Sequence, residues 1–146
     1  MAPVTESAEY LTYCSHSAKE IVNMPIEYSF DPEAGIVSIV CSQNLTVDER
    51  IQSVDRVIDD PDLPELASVL IDVRKVKNAP TYNEIILIGL LIERLLVRFE
   101  RRLSIVNSIT TSHVTSSHLV SILVDKKYGE VRVFKSEDEA RNWLKS

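Results

Sequence analysis

The chain holds only three glycines, Gly35, Gly89 and Gly129, and that scarcity excludes the phosphate-cradling loops from which nucleotide sites are built. Cysteine is scarcer still. Cys14 and Cys41 form no Cys-x-x-Cys pair, so two free thiols in a reducing compartment is the simplest reading. The longest apolar run covers residues 85–92 between Glu84 and Glu93, well short of the ~20 residues that a membrane span needs. The opening Met1-Ala-Pro-Val-Thr-Glu6 has neither the positive start nor the apolar stretch of a secretory signal. A cytoplasmic protein without a transmembrane segment is expected. Positive charge is also short, at 16 Lys and Arg against 22 Asp and Glu, a formal net charge of -6. That balance argues against general nucleic-acid binding, which needs a clustered cationic excess.

Catalytic signatures are missing too. There is no Gly-x-Ser-x-Gly elbow, and His16, His113 and His118 have no acid–nucleophile arrangement near them. His113 and His118 stand five apart, which does not put both on one helical face as a metal pair requires. Neither cysteine has an obvious base beside it. No metal, no cofactor and no enzymatic activity are therefore expected.

What is present is a folding grammar. Thr46-x-x-Glu49, Thr81-x-x-Glu84 and Ser136-x-x-Glu139 each place a hydroxyl and a carboxylate for the reciprocal bonds of a capping box. Short β-branched runs at 36–41, 69–73 and 131–134 precede the three boxes. Alternating strand and helix implies a mostly parallel sheet dressed with helices. With 45% hydrophobic residues, one globular domain is the expected class.

Residues 26–30 alternate apolar and polar, and Asp31-Pro-Glu-Ala-Gly35 is a turn that returns the chain as a hairpin. A helix over 47–60 carries Val47, Ile51, Val54, Val57 and Ile58 on one stripe, with Asp48, Glu49, Arg50, Asp55, Arg56 and Asp59 outward. Further helices are predicted over 82–101, 112–128 and 137–145, with a strand at 103–107. The 112–128 helix is expected to turn Val114, Leu119, Ile122 and Leu123 inward, with His118 as a further inward candidate. Residues 1–24 read as a helical extension, with apolar positions at Ala8, Leu11, Cys14, Ala18 and Ile21, ahead of a domain over 25–146.

The 82–101 helix is uneven. Its C-terminal half is amphipathic, with Arg94, Arg98, Arg101 and Arg102 facing away, but in its first half Ile85, Ile86, Leu87, Ile88, Leu90, Leu91 and Ile92 encircle the cylinder. One packed face cannot cover them. The N-terminal helix folding back, a homodimer through this helix, or a pocket or membrane-surface contact for something greasy would each do so, with Leu87, Ile88, Leu90 and Leu91 as the apolar interface or pocket.

Two polar loops are candidates for a ligand. Arg74, Lys75 and Lys77 lead to Thr81 at a capped helix start, and Asn107 to His113 offers Thr111, Ser112 and His113. Ligands of doubly wound sheets sit beyond the carboxyl ends of the strands, so neighbouring loops here would suit a phosphate, a small anion or a partner's carboxylate. The plain alternative is a solvated loop, with Thr81 acting only as a cap.

Leu70-Ile-Asp72 with the loop and capped apolar helix after it, and above all Val131-Arg-Val-Phe-Lys-Ser136-Glu-Asp-Glu-Ala140-Arg-Asn-Trp143-Leu144, resemble the SpoIIAA-like family of the STAS fold, which is also compared with lipid-binding CRAL-TRIO domains. The resemblance spans about 26–144. It implies an α/β domain with a mixed, mostly parallel five-stranded sheet, an N-terminal hairpin and about four flanking helices. It also implies a regulatory module working through protein–protein interaction. In anti-sigma-factor antagonists a serine in Asp-Ser-Ser-Gly opens the corresponding helix and is phosphorylated. Here Pro80-Thr81-Tyr82-Asn83 keeps only a hydroxyl, which makes Thr81 the phosphoacceptor candidate. A carrier or sensor of a small hydrophobic or anionic ligand is the alternative.

Overall fold

The computed structural model describes residues 26–42, 45–99, 102–107 and 111–146; the helical extension expected at the N-terminus lies outside them. Strand β1 (Ile26–Asp31) and strand β2 (Ile36–Cys41) form the expected antiparallel hairpin, with Ile26 opposite Cys41. Its turn closes through Gly35 N–H to Asp31 O at 2.8 Å, with Gly35 at φ 69°, a left-handed conformation that costs glycine nothing. The chain then runs through α1 (Val47–Ile58), β3 (Ser68–Asp72), α2 (Tyr82–Phe99), β4 (Arg102–Val106), α3 (Thr111–Leu123), a short 3-10 turn (Lys126–Tyr128), β5 (Glu130–Phe134) and α4 (Glu137–Lys145).

The strands lie in the sheet in sequence order, and β2 to β5 are parallel. That order settles where the helices go. Right-handed crossovers that all advance in one direction put their helices on one face. Accordingly Val57 of α1, Ile85, Ile92, Leu95 and Leu96 of α2, Val120 of α3 and Val124 just after it share one core with Val37, Ile39, Val69, Leu103 and Ile105 of the sheet. Among the described residues the opposite face is covered by α4, through Ala140 and Leu144 against Ile36, Leu70 and Val106. Among the described strands the order never reverses, so they form no topological switch point of the doubly wound kind.

The capping boxes form largely as read. Thr46 and Thr81 each exchange both bonds with Glu49 and Glu84, whereas Ser136 accepts from Glu139 N–H at 3.3 Å with no return bond among the described residues. Two faces differ from the reading. Val47 is exposed, because as the first helical residue it precedes the turn that meets the sheet. Among the described side chains of α3 and the residue after it, Ser117, Val120 and Val124 are buried, while Leu119, Ile122 and Leu123 are exposed and His118 faces solvent. Apolar residues on α3 run round the helix, so periodicity offers no preferred side. Tertiary contacts choose it: Asn107 Nδ2 donates to Ser117 Oγ within the interior, and Gly89 of α2 lets Leu123 approach. The expected 112–128 helix also ends early, at Leu123, where Asp125 starts the 3-10 turn by accepting from Lys127 N–H at 3.0 Å.

Candidate functional site

The loop after β3 is built around Asp72. This carboxylate faces the α4 side, and Arg74 folds back on it: Nε to Oδ1 at 3.0 Å, Nη2 to Oδ2 at 2.7 Å, and the Arg74 N–H to Oδ1 at 3.0 Å. Burial pushes the Asp72 carboxyl up, but the Arg74 bonds and the charges of Arg74 and Lys75 outweigh it, so it lies below its ordinary value. The same guanidinium reaches Glu137 Oε1 of α4 at 3.1 Å, and Glu137 in turn pairs with Arg141 at 2.8 Å. Arg74 is thus committed to two carboxylates rather than offered to an incoming anion. Lys75 and Lys77 are exposed.

Thr81 is occupied as a cap: its Oγ1 accepts from Glu84 N–H at 3.3 Å, while its own N–H donates to Glu84 Oε1 at 2.8 Å. A phosphate added there would meet the Glu84 carboxylate. The side chains of Thr111, Ser112 and His113 lie outside the described residues. The two loops do approach one another, since Val76, Asn78 and Pro80 of the first and Asn107, with Ser116 and Ser117 of α3, line a common cavity.

That cavity has a volume of about 140 Å³ and lies between the sheet and the three-helix layer, toward the carboxyl ends of the strands. Its floor is Ile39, Cys41, Ile71 and Ile105; Ile88, Leu91, Ile92 and Leu95 of α2 form its roof. Arg50 is the charged residue in the wall. The sequence puts it on the solvent side of α1, but its side chain is partly buried, and Nε is buried without a hydrogen bond among the described residues. The Cys41 thiol is pushed up to about 11 by burial, against the opposing charge of Arg50.

The four apolar residues singled out on α2 divide between two places. Ile88 and Leu91 line the cavity, Leu87 is half-buried, and Leu90 is 56% exposed. With Leu90 on the outer side stand Ile86 and Tyr82, and across the junction with α3 come Leu119, Ile122 and Leu123. The junction is close, since a Cβ at Gly89 would stand 3.7 Å from Leu123 Cβ. Thr111–Leu123 contains no Asp, Glu, Lys or Arg. A surface helix free of formal charge, beside an apolar stripe, has the composition of an interface core. The sequence signal was available in that lack of charge, but the inward assignment of the same residues hid it.

Of the expected outward arginines, Arg94 pairs with Asp55 at 2.6 Å and Arg98 is structural. Arg98 donates to the carbonyls of Ile58, Asp60 and Leu63 at 2.9, 3.2 and 2.7 Å and lies over the Phe99 ring at 4.6 Å. It closes the orphaned end of α1.

Compared with solved structures, the chain is similar to an uncharacterised protein of the DUF3478 family with a SpoIIAA-like fold from Shewanella loihica PV-4. The TM-score is 0.54 at 15% identity, over 82% of this chain and 91% of that one. The chain has a SpoIIAA-like fold. At this identity the likeness extends to the fold alone. No protein-family model matches, and no curated protein does. Among the described residues no group of three or more His, Cys, Asp or Glu could hold a metal, and no helix is long and apolar enough to cross a membrane.

Proposed function

We propose that this SpoIIAA-like domain is a non-enzymatic regulatory binding module that works by docking protein, with the outer face of α2 and α3 as its surface. The observation that carries this is the exposure of Ile86, Leu90, Leu119, Ile122 and Leu123, between 40% and 76%, on two adjoining helices. Together these fractions amount to about two and a half whole aliphatic side chains. At ~1.5–3 kcal/mol for each side chain buried, that is about 4–8 kcal/mol of forgone burial per copy.

A second copy of the chain is the partner that fits this face best. An uncharged α3 can meet itself across a two-fold axis without like-charge cost, despite the net charge of -6. Doubling the burial gives about 8–16 kcal/mol, comparable to the 4–15 kcal/mol that association costs, so a modest, concentration-dependent dimer is expected. Thr81, held in its capping box, serves as helix start in this reading and not as a phosphate switch.

Sedimentation equilibrium of the full chain tests the proposal. The unsubstituted protein should move from monomer to dimer with rising concentration, and Ile122→Asp, at a position 76% exposed, should hold it monomeric with an unchanged circular dichroism spectrum. A chain that stays monomeric throughout, or an Ile122→Asp variant that dimerises equally well, removes the proposal.

A further inference from the structure

The cavity under α2 has the chemistry of a second site, independent of the outer face. Three observations define its occupant. The walls from β2, β3, β4 and α2 are aliphatic apart from the Cys41 thiol, so the body of the occupant must be apolar. Its volume of about 140 Å³ is close to that of an engineered aliphatic cavity that takes up benzene, so the body is roughly six to eight heavy atoms. One wall carries the Arg50 guanidinium, with a buried Nε–H that has no acceptor among the described residues.

The remaining polar lining, Asn78, Asn107, Ser116 and Ser117, carries no formal charge. Asn107 Nδ2 is spent on Ser117 Oγ, and Asp72, the carboxylate whose charge also reaches Cys41, is held by both Nε and Nη2 of Arg74. Among the described lining residues Arg50 thus supplies the formal charge, beside walls that are mostly aliphatic. Such a chamber suits a molecule with one anionic end. Guanidinium and carboxylate match in shape as well as charge, through parallel N–H donors.

We propose that the cavity between the sheet and α2 binds a small carboxylate with an apolar body, its head on Arg50 and its body between Ile39, Ile71 and Ile88. The loop bearing Val76, Asn78 and Pro80 borders the chamber, so entry is past this loop at the carboxyl ends of the strands. Bulkier lipids exceed the space.

Titration calorimetry of the full chain with benzoate, hexanoate and the neutral benzyl alcohol tests this. Benzoate and hexanoate should bind with a Kd of about a millimolar or tighter, and benzoate at least about tenfold tighter than benzyl alcohol. Arg50→Met should erase that preference while leaving benzyl alcohol binding intact. Ile88→Phe, which fills the chamber, should abolish binding of all three probes with a retained circular dichroism spectrum. Occupancy should also slow alkylation of Cys41, whose thiol lies in the floor. Equal binding of benzoate and benzyl alcohol, an unchanged benzoate affinity in Arg50→Met, or binding that survives Ile88→Phe overturns the site. No detectable binding of either carboxylate overturns it as well.

Discussion

Replacing glycine by alanine should have opposite signs at two positions of this chain, and the difference follows from backbone angle and neighbour distance alone. Gly89 lies inside α2, outside the set of glycines with positive φ, and a Cβ there would stand 3.7 Å from Leu123 Cβ, an ordinary contact. Gly89→Ala therefore removes a helix-propensity penalty of ~0.8–1.0 kcal/mol without a clash. A net stabilisation of about 0.5–1 kcal/mol is expected, read as a rise in melting temperature of roughly 2–5 °C. Gly35 has open space around its missing Cβ but φ at 69°. Gly35→Ala should cost about 1 kcal/mol, since the left-handed region is strained for any residue with a Cβ. Urea denaturation of the full chain measures both. If Gly89→Ala destabilises, α3 packs against α2 more closely than described, and the arrangement of Leu90 beside Leu123 that creates the outer face is wrong.

Two further outcomes follow from the ion pairs. The carboxyl of Asp72 lies below its ordinary value, so its contribution is fully present above the unfolded pKa of ~3.9 and is lost as pH falls through the folded value. Urea midpoints measured from neutral pH down to strong acid should therefore fall less steeply on acidification for Asp72→Asn than for the unsubstituted chain; parallel profiles would contradict the pairing with Arg74. Arg98→Ala removes three hydrogen bonds to the carbonyls of Ile58, Asp60 and Leu63, at and beyond the end of α1, and should cost about 2–3 kcal/mol in the same assay, whereas Arg94→Ala, whose partner Asp55 is exposed, should cost under about 1 kcal/mol.

Much of the fold was legible because its signals are local. A β-branched run followed by a hydroxyl and a glutamate three residues on contains its own hydrogen-bonding instructions, and β2, β3, β5 and the helices after them appear where those instructions stand. What stayed hidden depends on residues far apart. Arg74 looked like a free loop cation because Glu137, its second carboxylate, is 63 residues away. The outward turn of Leu119, Ile122 and Leu123 needed Gly89 and Asn107, neither of them on α3. Arg50 read as solvent-facing because its neighbours Asp48 and Glu49 are charged, yet a chamber assembled from three helices and four strands draws it inward. The expectation for α2 divided likewise: encirclement by apolar residues called for a second covered side, whereas Ile88 and Leu91 line the chamber and Ile86 and Leu90 are exposed.

Hydrogen–deuterium exchange of the full chain at low and high protein concentration tests the outer face most directly, because it reports where copies meet and not only whether they do. Protection should rise with concentration at the exposed turns of α2 around Ile86 and Leu90 and of α3 around Leu119 to Leu123, and Ile122→Asp should abolish the rise. Exchange on these turns that is indifferent to concentration, or a concentration-dependent footprint confined to α4 and the β1 edge, would contradict the account.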